Sequence, residues 1–544
     1  MTHEVLNQPP PLENYNLFTG DNALVEGLRR EGAEWAEERA RAFGAIVGGE
    51  PLRWGFTANQ NSPVLRTHDR FGHRIDEVEF HPAYHELLGL GVEHGLHSLP
   101  WREPRAGAHV ARAALFFVLG QAEAGVGCPL SMTYSGVPAL RQQPELAAEW
   151  EPRLTSTEYD PRLRPAGEKT GALCGMAMTE KQGGSDVRAN STRARALGKG
   201  GPAGEYEITG HKWFCSAPMC DAFLVLAQTE RGLSCFLVPR FRPDGSRNVF
   251  RIQRLKDKLG NRSNASSEVE FDGTWGRMVG EEGRGVPTII EMVNHTRLDC
   301  VIGGAAGMRA ALVQATHHAA HRSAFGKTLV DQPLMRNVLA DLAVESEAAT
   351  LSMLRLARAF DEGHADADQR SFARLATAVL KYWVCKRNPM HAAEALECLG
   401  GNGYVEESLM PRLFRESPLN GVWEGSGNVI CLDVLRAMGR GPESVELFFD
   451  EVAQASEVRL TRYVESLRAE LADFSDIEAR ARRIVERLAI ALQASLLLRH
   501  GDPAVAEAFC ASRLAGDHGR AFGTLPPKLD FGRIIARARP AAEA

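Results

Sequence analysis

The sequence has no CxxC pair and no regular cysteine spacing; its ten cysteines, from Cys128 to Cys510, are scattered. Scattered thiols argue against a disulfide scaffold or a zinc ribbon and for a reducing compartment. Long apolar runs are also missing. No stretch approaches the roughly 20 residues that a membrane helix needs, and Met1 to Gly20 lacks a basic-then-apolar signal pattern. The expected location is the cytoplasm, away from any membrane. Charge of one sign is scarce as well: a net charge of -6 gives no global attraction for nucleic acid or anionic lipid, so polyanion binding would have to be local. No GxGxxG follows a strand-like run, which argues against a Rossmann-bound dinucleotide. His317 and His321 have the spacing of a metal pair, but no carboxylate or third histidine completes it, and no metal is expected. There is no internal repeat and no low-complexity tract.

What is present is an ordinary globular composition, 44% hydrophobic and 24% charged, over 544 residues. That length exceeds one hydrophobic core and predicts three or four domains. Gln8-Pro9-Pro10-Pro11-Leu12 cannot be helical and predicts an extended arm, after which Asp21-Asn22 can cap a long helix running through Glu38 and Arg41. The helical pattern continues to about Leu163, in segments such as Ala111 to Leu119 and Pro144 to Trp150. At Gly171 the texture changes. Gly171 to Met178, Glu205 to Ile208, Ala222 to Gln228, Leu233 to Val238 and Glu268 to Phe271 are short β-prone runs between turns, the pattern of a compact antiparallel barrel. Val286 to His321, Gln332 to Asp361 and Ser371 to Leu399 then carry apolar residues at helical spacing and predict a bundle. The last section is again helical, interrupted at Pro526-Pro527. The predicted fold class is α+β, mostly α: a helical domain over 1–168, an antiparallel β-barrel over 169–283, a helical bundle over 284–440 and an appended helical domain over 441–544.

Two glycine-rich segments carry the chemistry. Glu424 sits in Trp423-Glu424-Gly425-Ser426-Gly427-Asn428, and a loop runs Met178-Thr179-Glu180-Lys181-Gln182-Gly183-Gly184-Ser185-Asp186. A carboxylate beside a large aromatic gains basicity by desolvation, and glycines let a substrate approach the backbone closely. Glu424 is therefore a candidate base for a proton next to a carbonyl; it could instead cap a helix starting near Ser426. The loop offers the hydroxyls of Thr179 and Ser185 and the amides of Gly183 and Gly184 to an electron-rich cofactor, although such a turn can be only a hairpin.

These motifs, in this order, resemble the acyl-CoA dehydrogenase family. The resemblance extends to about Gly439 and implies an FAD enzyme acting on an acyl-CoA. Met178-Thr179-Glu180 to Gly184-Ser185-Asp186 resembles the loop that holds the flavin ring, with Ser185 also near substrate. His211-Lys212-Trp213-Phe214 resembles the strand whose aromatic covers the ring, though Trp213 could equally be core; Cys215 stands where a threonine often bonds the flavin, and Ser216 follows it. Arg322-Ser323-Ala324-Phe325-Gly326 with Gln332 resembles the segment that reaches a neighbouring subunit's FAD. Gly400 and Gly401, in Leu399-Gly400-Gly401-Asn402-Gly403-Tyr404, resemble the pyrophosphate-contacting turn. Trp423, Gly425, Ser426 and Asn428 surround the implied catalytic base, Glu424. Arg297, in Asn294-His295-Thr296-Arg297, falls at a substrate-side position, or forms a helix ion pair, and Asn294 replaces an acid that commonly contacts the CoA adenine.

Departures from the common pattern point to one branch. Lys181-Gln182 replaces a proline-containing turn, Glu397 a glutamine and Trp423 a tyrosine. With the segment Lys256 to Ser266 and the C-terminal extension, these are similar to the alkylation-response AidB branch. That branch implies a homotetramer with weak dehydrogenase activity and a tail that binds double-stranded DNA. In the tail, a helix from Glu478 to His500 would align Arg480, Arg483 and Arg487 beside an apolar face, and Arg513, Arg520, Lys528, Arg533, Arg537 and Arg539 follow. These could track phosphates without reading sequence, or form a solvated face, since acidic residues nearly balance them. The alternatives are an ordinary dehydrogenase of fatty or branched-chain acid breakdown with no DNA role, and a non-catalytic scaffold in which the flavin is structural.

Overall fold

The computed structural model describes residues 2–540. The chain folds into two units that interleave along the sequence: Arg53–Pro104 with Glu123–Thr296, and Met1–Leu52 with Arg105–Ala122 and Arg297–Ala544. The N-terminal helical region is shared between the two units, and the C-terminal section is part of one of them.

The first unit is built on the barrel. A hairpin absent from the sequence expectation, β1 (Val64–His68) with β2 (Arg74–Glu79), precedes it; its alternation is short and only partly buried. The barrel strands are β3 (Cys174–Ala177), β4 (Arg193–Ala196), β5 (Glu205–Ser216), β6 (Ala222–Thr229), β7 (Gly232–Pro239), β8 (Arg251–Leu255) and β9 (Ser266–Val279). Pairing runs β3-β6-β4-β5-β9-β7, with β8 on β9 and β7 returning to β6, so five strands close a ring. Closure removes the sheet edges. The sheet is mixed rather than wholly antiparallel, since β3 and β4 both pair with β6 in parallel. β4 and β8 escape the sequence pattern because each is four or five residues long and half exposed. β6 and β7 are nearly continuous runs of buried apolar residues and supply the barrel core. Helix Gly127–Leu140 belongs to this unit and bonds β3, the amide of Cys174 donating to Thr133 Oγ1 at 3.0 Å.

The second unit is helical. Helices Gly285–His321, Pro333–Glu362 and Ala367–Cys398, of 37, 30 and 32 residues, match the three long expected helices within a few residues; the first carries the chain out of the barrel unit at Thr296. Asp21 caps helix Asn22–Leu28 as expected, its side chain accepting from the amide of Leu24. That helix stops early. Gly32 has φ 87°, and a Cβ on Gly107 would lie 2.2 Å from its carbonyl oxygen, so the chain turns there and resumes as Glu37–Val47. The N-terminal arm is extended, as the prolines require.

Candidate active site

In the helical unit, Glu424 lies in a turn between the short 3-10 turn Leu419–Gly421 and helix Gly427–Arg440. The N-cap of that helix is Ser426, not Glu424. Glu424 has φ 57° and Gly425 has φ 103°. The left-handed region disfavours a residue with a Cβ by about 1–2 kcal/mol, so neighbouring groups must oppose the relaxation. They are cations. Lys381, buried in helix Ala367–Cys398, donates from Nζ to the carbonyl oxygen of Trp423 at 2.8 Å and to that of Gly425. Arg297 Nε donates to the intervening carbonyl, Glu424 O, at 3.0 Å. Three successive carbonyls thus end on two positive side chains. Trp423 is fixed in turn, its indole N–H donating to Asn420 Oδ1 at 2.8 Å.

Arg297, expected on the substrate side, has its guanidinium committed elsewhere. It is buried, with Nη1 2.8 Å from Asp433 Oδ2, and Arg374 Nη2 lies 2.9 Å from the other Asp433 oxygen. Burial pushes the Asp433 carboxyl up, but Arg297 and Arg374 more than offset it and hold it below its ordinary range. The ion pair weighed against a substrate role is present, formed between helices rather than along one.

Elsewhere in this unit, Arg322 to Thr328 forms a small hairpin of β10 (Ser323–Ala324) and β11 (Lys327–Thr328), with Phe325 and Gly326 at positive φ in the turn. Phe325 is fully exposed at its tip. Gln332 Nε2 donates to Ala324 O at 3.0 Å, and the N-terminal arm braces the hairpin through Asn7, which exchanges two hydrogen bonds with the backbone of Ser323. Gly400 and Gly401 lie exposed in the 3-10 turn Gly400–Gly403, with no atom within 4 Å of a Cβ built on either. Ser426 and Asn428 are exposed at the start of helix Gly427–Arg440.

In the barrel unit, the loop after β3 is anchored by a residue that its motif does not single out. Glu180 is fully buried and pairs with fully buried Lys212 at 2.9 Å. The same carboxylate accepts from the amides of Ser191 and Thr192 at 2.7 and 3.1 Å, and Lys212 also donates to Leu226 O at 2.7 Å. Burial pushes the Glu180 carboxyl up, but the Thr192 bond and Lys212 outweigh it and hold it far below its usual range. From this anchor the chain makes a tight reversal, with Glu180 and Gly183 exchanging backbone hydrogen bonds. As geometry, the loop is therefore a hairpin. The reversal presents Gly184 and exposed Ser185, while the Met178 and Thr179 carbonyls are tied to Asn190 and Trp213. Trp213 is half-buried, with Lys256 Nζ 3.2 Å from its ring centroid.

A register shift in β5 between Lys212 and Cys215 turns this thiol inward, where it is fully buried and burial pushes it up to about 12. Its neighbour Ser216 is half-buried, its hydroxyl 3.2 Å from that of Ser266.

The C-terminal arginines are mostly consumed within the protein. Arg513 is buried against Asp341 and Glu345 at 2.5 and 3.1 Å, and Arg537 joins Glu26 and Glu347 at 2.6 and 2.9 Å. Arg533 pairs with Asp502 at 2.8 Å, Arg487 with Glu470 at 2.5 Å, and Arg480 donates to the carbonyls of Asp473 and Ser475. These five do not form a free phosphate-tracking stripe. Arg483 remains largely exposed beside Glu470, and Arg520 and Lys528 are exposed.

Among the described residues no group of three or more His, Cys, Asp or Glu could hold a metal ion, and no helix is long and apolar enough to cross a membrane. His317 instead donates to Pro10 O at 2.8 Å. Lys381 carries a sequence signal that motif reading passes over: one lysine within the apolar run Ala378-Val379-Leu380-Lys381-Tyr382-Trp383-Val384, where a charge must find partners in the interior.

Comparison with known proteins agrees with the order of these features. Residues 7–161 match the family described as adaptive response protein AidB N-terminal domain, 175–274 the acyl-CoA dehydrogenase middle domain and 283–439 the acyl-CoA dehydrogenase C-terminal domain. The chain is 46% identical to the putative acyl-CoA dehydrogenase AidB of Escherichia coli over 94% of both chains. It is 31% identical to acyl-CoA dehydrogenase family member 11 of Caenorhabditis elegans over 80% of this chain and 72% of that one. The solved structure of Caenorhabditis elegans ACDH-11 in complex with C11-CoA superposes with a TM-score of 0.86, at 27% identity and 94% coverage of each chain.

Proposed function

The chain belongs to the AidB branch of the acyl-CoA dehydrogenase family of FAD-dependent oxidoreductases, and from that premise we propose that it dehydrogenates an acyl-CoA, with Glu424 as the base that takes the α-proton. The residues present suit FAD. A half-buried indole, the hydroxyls of Ser185 and Ser216 and the backbone of Gly184 suit the flat ring and polar edge of a flavin, and the open turn at Gly400 and Gly401 leaves room for a pyrophosphate. Thr179, Trp213 and Ser185 would hold the ring, and Arg322, Phe325 and Gln332 the far end of a cofactor. When bound, FAD accepts the hydride that leaves the substrate β-carbon.

The chain's own part is proton removal. The α-proton of a thioester is only weakly acidic, so its acceptor must be a carboxylate held at one place and partly withdrawn from water. Glu424 is half-buried beside Trp423. The carrying observation is the fixed left-handed turn: a strained residue gripped by buried cations is what a site needing one defined carboxylate position requires. The complex of the Caenorhabditis elegans relative with C11-CoA supports an acyl-CoA substrate. Glu424→Gln tests the assignment: the purified variant should retain its flavin while the rate of flavin bleaching by acyl-CoA falls at least a thousandfold, about 4 kcal/mol in activation free energy. Bleaching at the wild-type rate would overturn it.

A second reading, that this protein also binds double-stranded DNA without sequence preference in an alkylation response, is supported by the match to an adaptive-response family and by exposed Arg483, Arg520 and Lys528. Reversing these three charges together should reduce the salt dependence of duplex retention by about 0.9 for each phosphate no longer neutralised; unchanged retention would remove the reading. The same proposal takes the protein to be a cytoplasmic homotetramer, with exposed Phe325 meeting a neighbouring subunit.

A further inference from the structure

Lys381 is a fully buried lysine whose hydrogen bonds, among the described residues, go to two backbone carbonyls, Trp423 O at 2.8 Å and Gly425 O. A buried ammonium satisfied by carbonyls is a poor choice for packing alone, because a methionine would fill the space without a desolvation penalty. Its partners show what it does. Trp423 O belongs to the peptide entering Glu424, Glu424 O to the peptide leaving it and Gly425 O to the next. The torsions φ and ψ of Glu424 can change only if those peptide planes rotate, and each plane has its oxygen on a cation: Lys381 takes the first and third, Arg297 the second at 3.0 Å. Arg297 is itself fixed by Asp433, which Arg374 holds from its other oxygen. Without the ammonium, two of the three carbonyls lose their cation, and the hold that keeps Glu424 at φ 57° rather than in the commoner right-handed or extended regions weakens, with the side chain following the backbone.

We propose that Lys381 is a positioning residue for proton abstraction: it locks the peptides around Glu424 so that the carboxylate stays where the substrate's α-carbon is presented. This rests on the assignment of Glu424 as the base. The step is a proton transfer from the α-carbon to the Glu424 carboxylate, and Lys381 exchanges no proton in it.

The test uses Lys381→Met in the full-length flavoprotein, with octanoyl-CoA in deuterium oxide as probe and two rates: α-hydrogen exchange by mass spectrometry and anaerobic flavin reduction by absorbance. Both should fall about thirtyfold while KM stays within about twofold, the signature of an interaction felt in the transition state rather than in binding. Lys381→Met combined with Glu424→Gln should be no slower than Glu424→Gln alone, since Lys381 acts only through Glu424. A crystal structure of Lys381→Met supplies a readout independent of turnover, with Glu424 expected outside the left-handed region. Wild-type exchange rates per bound flavin in Lys381→Met, or Glu424 unmoved at positive φ, would overturn the proposal. If that variant does not fold, Lys381→Arg carries the test: the longer, planar guanidinium does not fit where the compact ammonium sits in the interior, so about a tenfold loss of kcat is expected, and wild-type kcat would overturn it. Equal exchange by wild type and Glu424→Gln would instead sink the base assignment and this proposal with it.

Discussion

The buried pair Glu180–Lys212 shows how a single side chain sets the shape of a functional loop. Burial pushes the Lys212 ammonium down to about 8 despite the pull of Glu180, and the pair persists because backbone amides of Ser191 and Thr192 share the carboxylate. Removing one partner of such a pair leaves the other charge stranded in the interior, a loss of about 3–5 kcal/mol. Lys212→Met should therefore lower the unfolding free energy in urea by that amount and release flavin, and Lys212→Met with Glu180→Gln should recover part of both; a single variant with unchanged stability and flavin content would refute the anchor role. At this scale the sequence is only partly legible. Glu424, Thr179, Ser185 and Trp213 can be singled out because glycine-rich turns and aromatics announce themselves. The inward turn of the Cys215 thiol is not legible, because the register shift in β5 changes which side chains face inward, and a local insertion in pairing leaves no mark in a residue string. Arg297 and Lys381 are hard to read because their partners lie more than 40 positions away.

Among the elements, helix Ala367–Cys398 carries a buried histidine, His391, whose Nε2 donates to Leu342 O at 3.0 Å and whose ring packs edge-on with Phe522. Burial pushes His391 down to about 4, so the folded protein keeps it neutral where an unfolded chain, with an ordinary histidine near 6.5, takes a proton. The sign follows: above pH 6.5 neither state is protonated and nothing is lost, while between 6.5 and 4 the unfolded state binds the extra proton and stability falls, by about 3 kcal/mol at the lower end. His391→Gln, which can still donate to Leu342 O, should flatten that part of the profile of unfolding free energy against pH. Parallel profiles for variant and wild type would contradict it. The long helices are legible because apolar spacing sustained over thirty residues has no competing explanation. The break at Gly32 and the hairpin of β1 and β2 are not, since a lone glycine is tolerated in helices and short half-exposed strands barely alternate.

For the whole molecule, the C-terminal section is sewn into the helical unit rather than appended to it. Glu451 sits between Arg355 and Arg499 at 2.7 and 2.6 Å, Arg513 fills a site made by Asp341 and Glu345, and Arg537 reaches both Glu347 and Glu26. Removing residues 441–544 would take these partners away and uncover the apolar faces of helices Pro333–Glu362 and Ala367–Cys398 that the section's buried residues, such as Phe448, Leu488 and Leu492, pack against. A chain ending at Arg440 should accumulate unfolded, with no cooperative thermal transition by circular dichroism; a folded yellow product would show the tail to be separable after all. The sequence marks this section as helical and arginine-rich, but whether an arginine faces solvent or a buried acid depends on helices brought together from distant positions. The central claim is that Glu424, held in its left-handed turn, takes the proton from an acyl-CoA, and the most direct test is anaerobic titration of wild type and Glu424→Gln side by side with acyl-CoAs of increasing chain length. The account predicts that at least one thioester bleaches the flavin of the wild type and none bleaches that of the variant, both proteins being equally yellow at the start; equal bleaching of the two, or of neither, would contradict it.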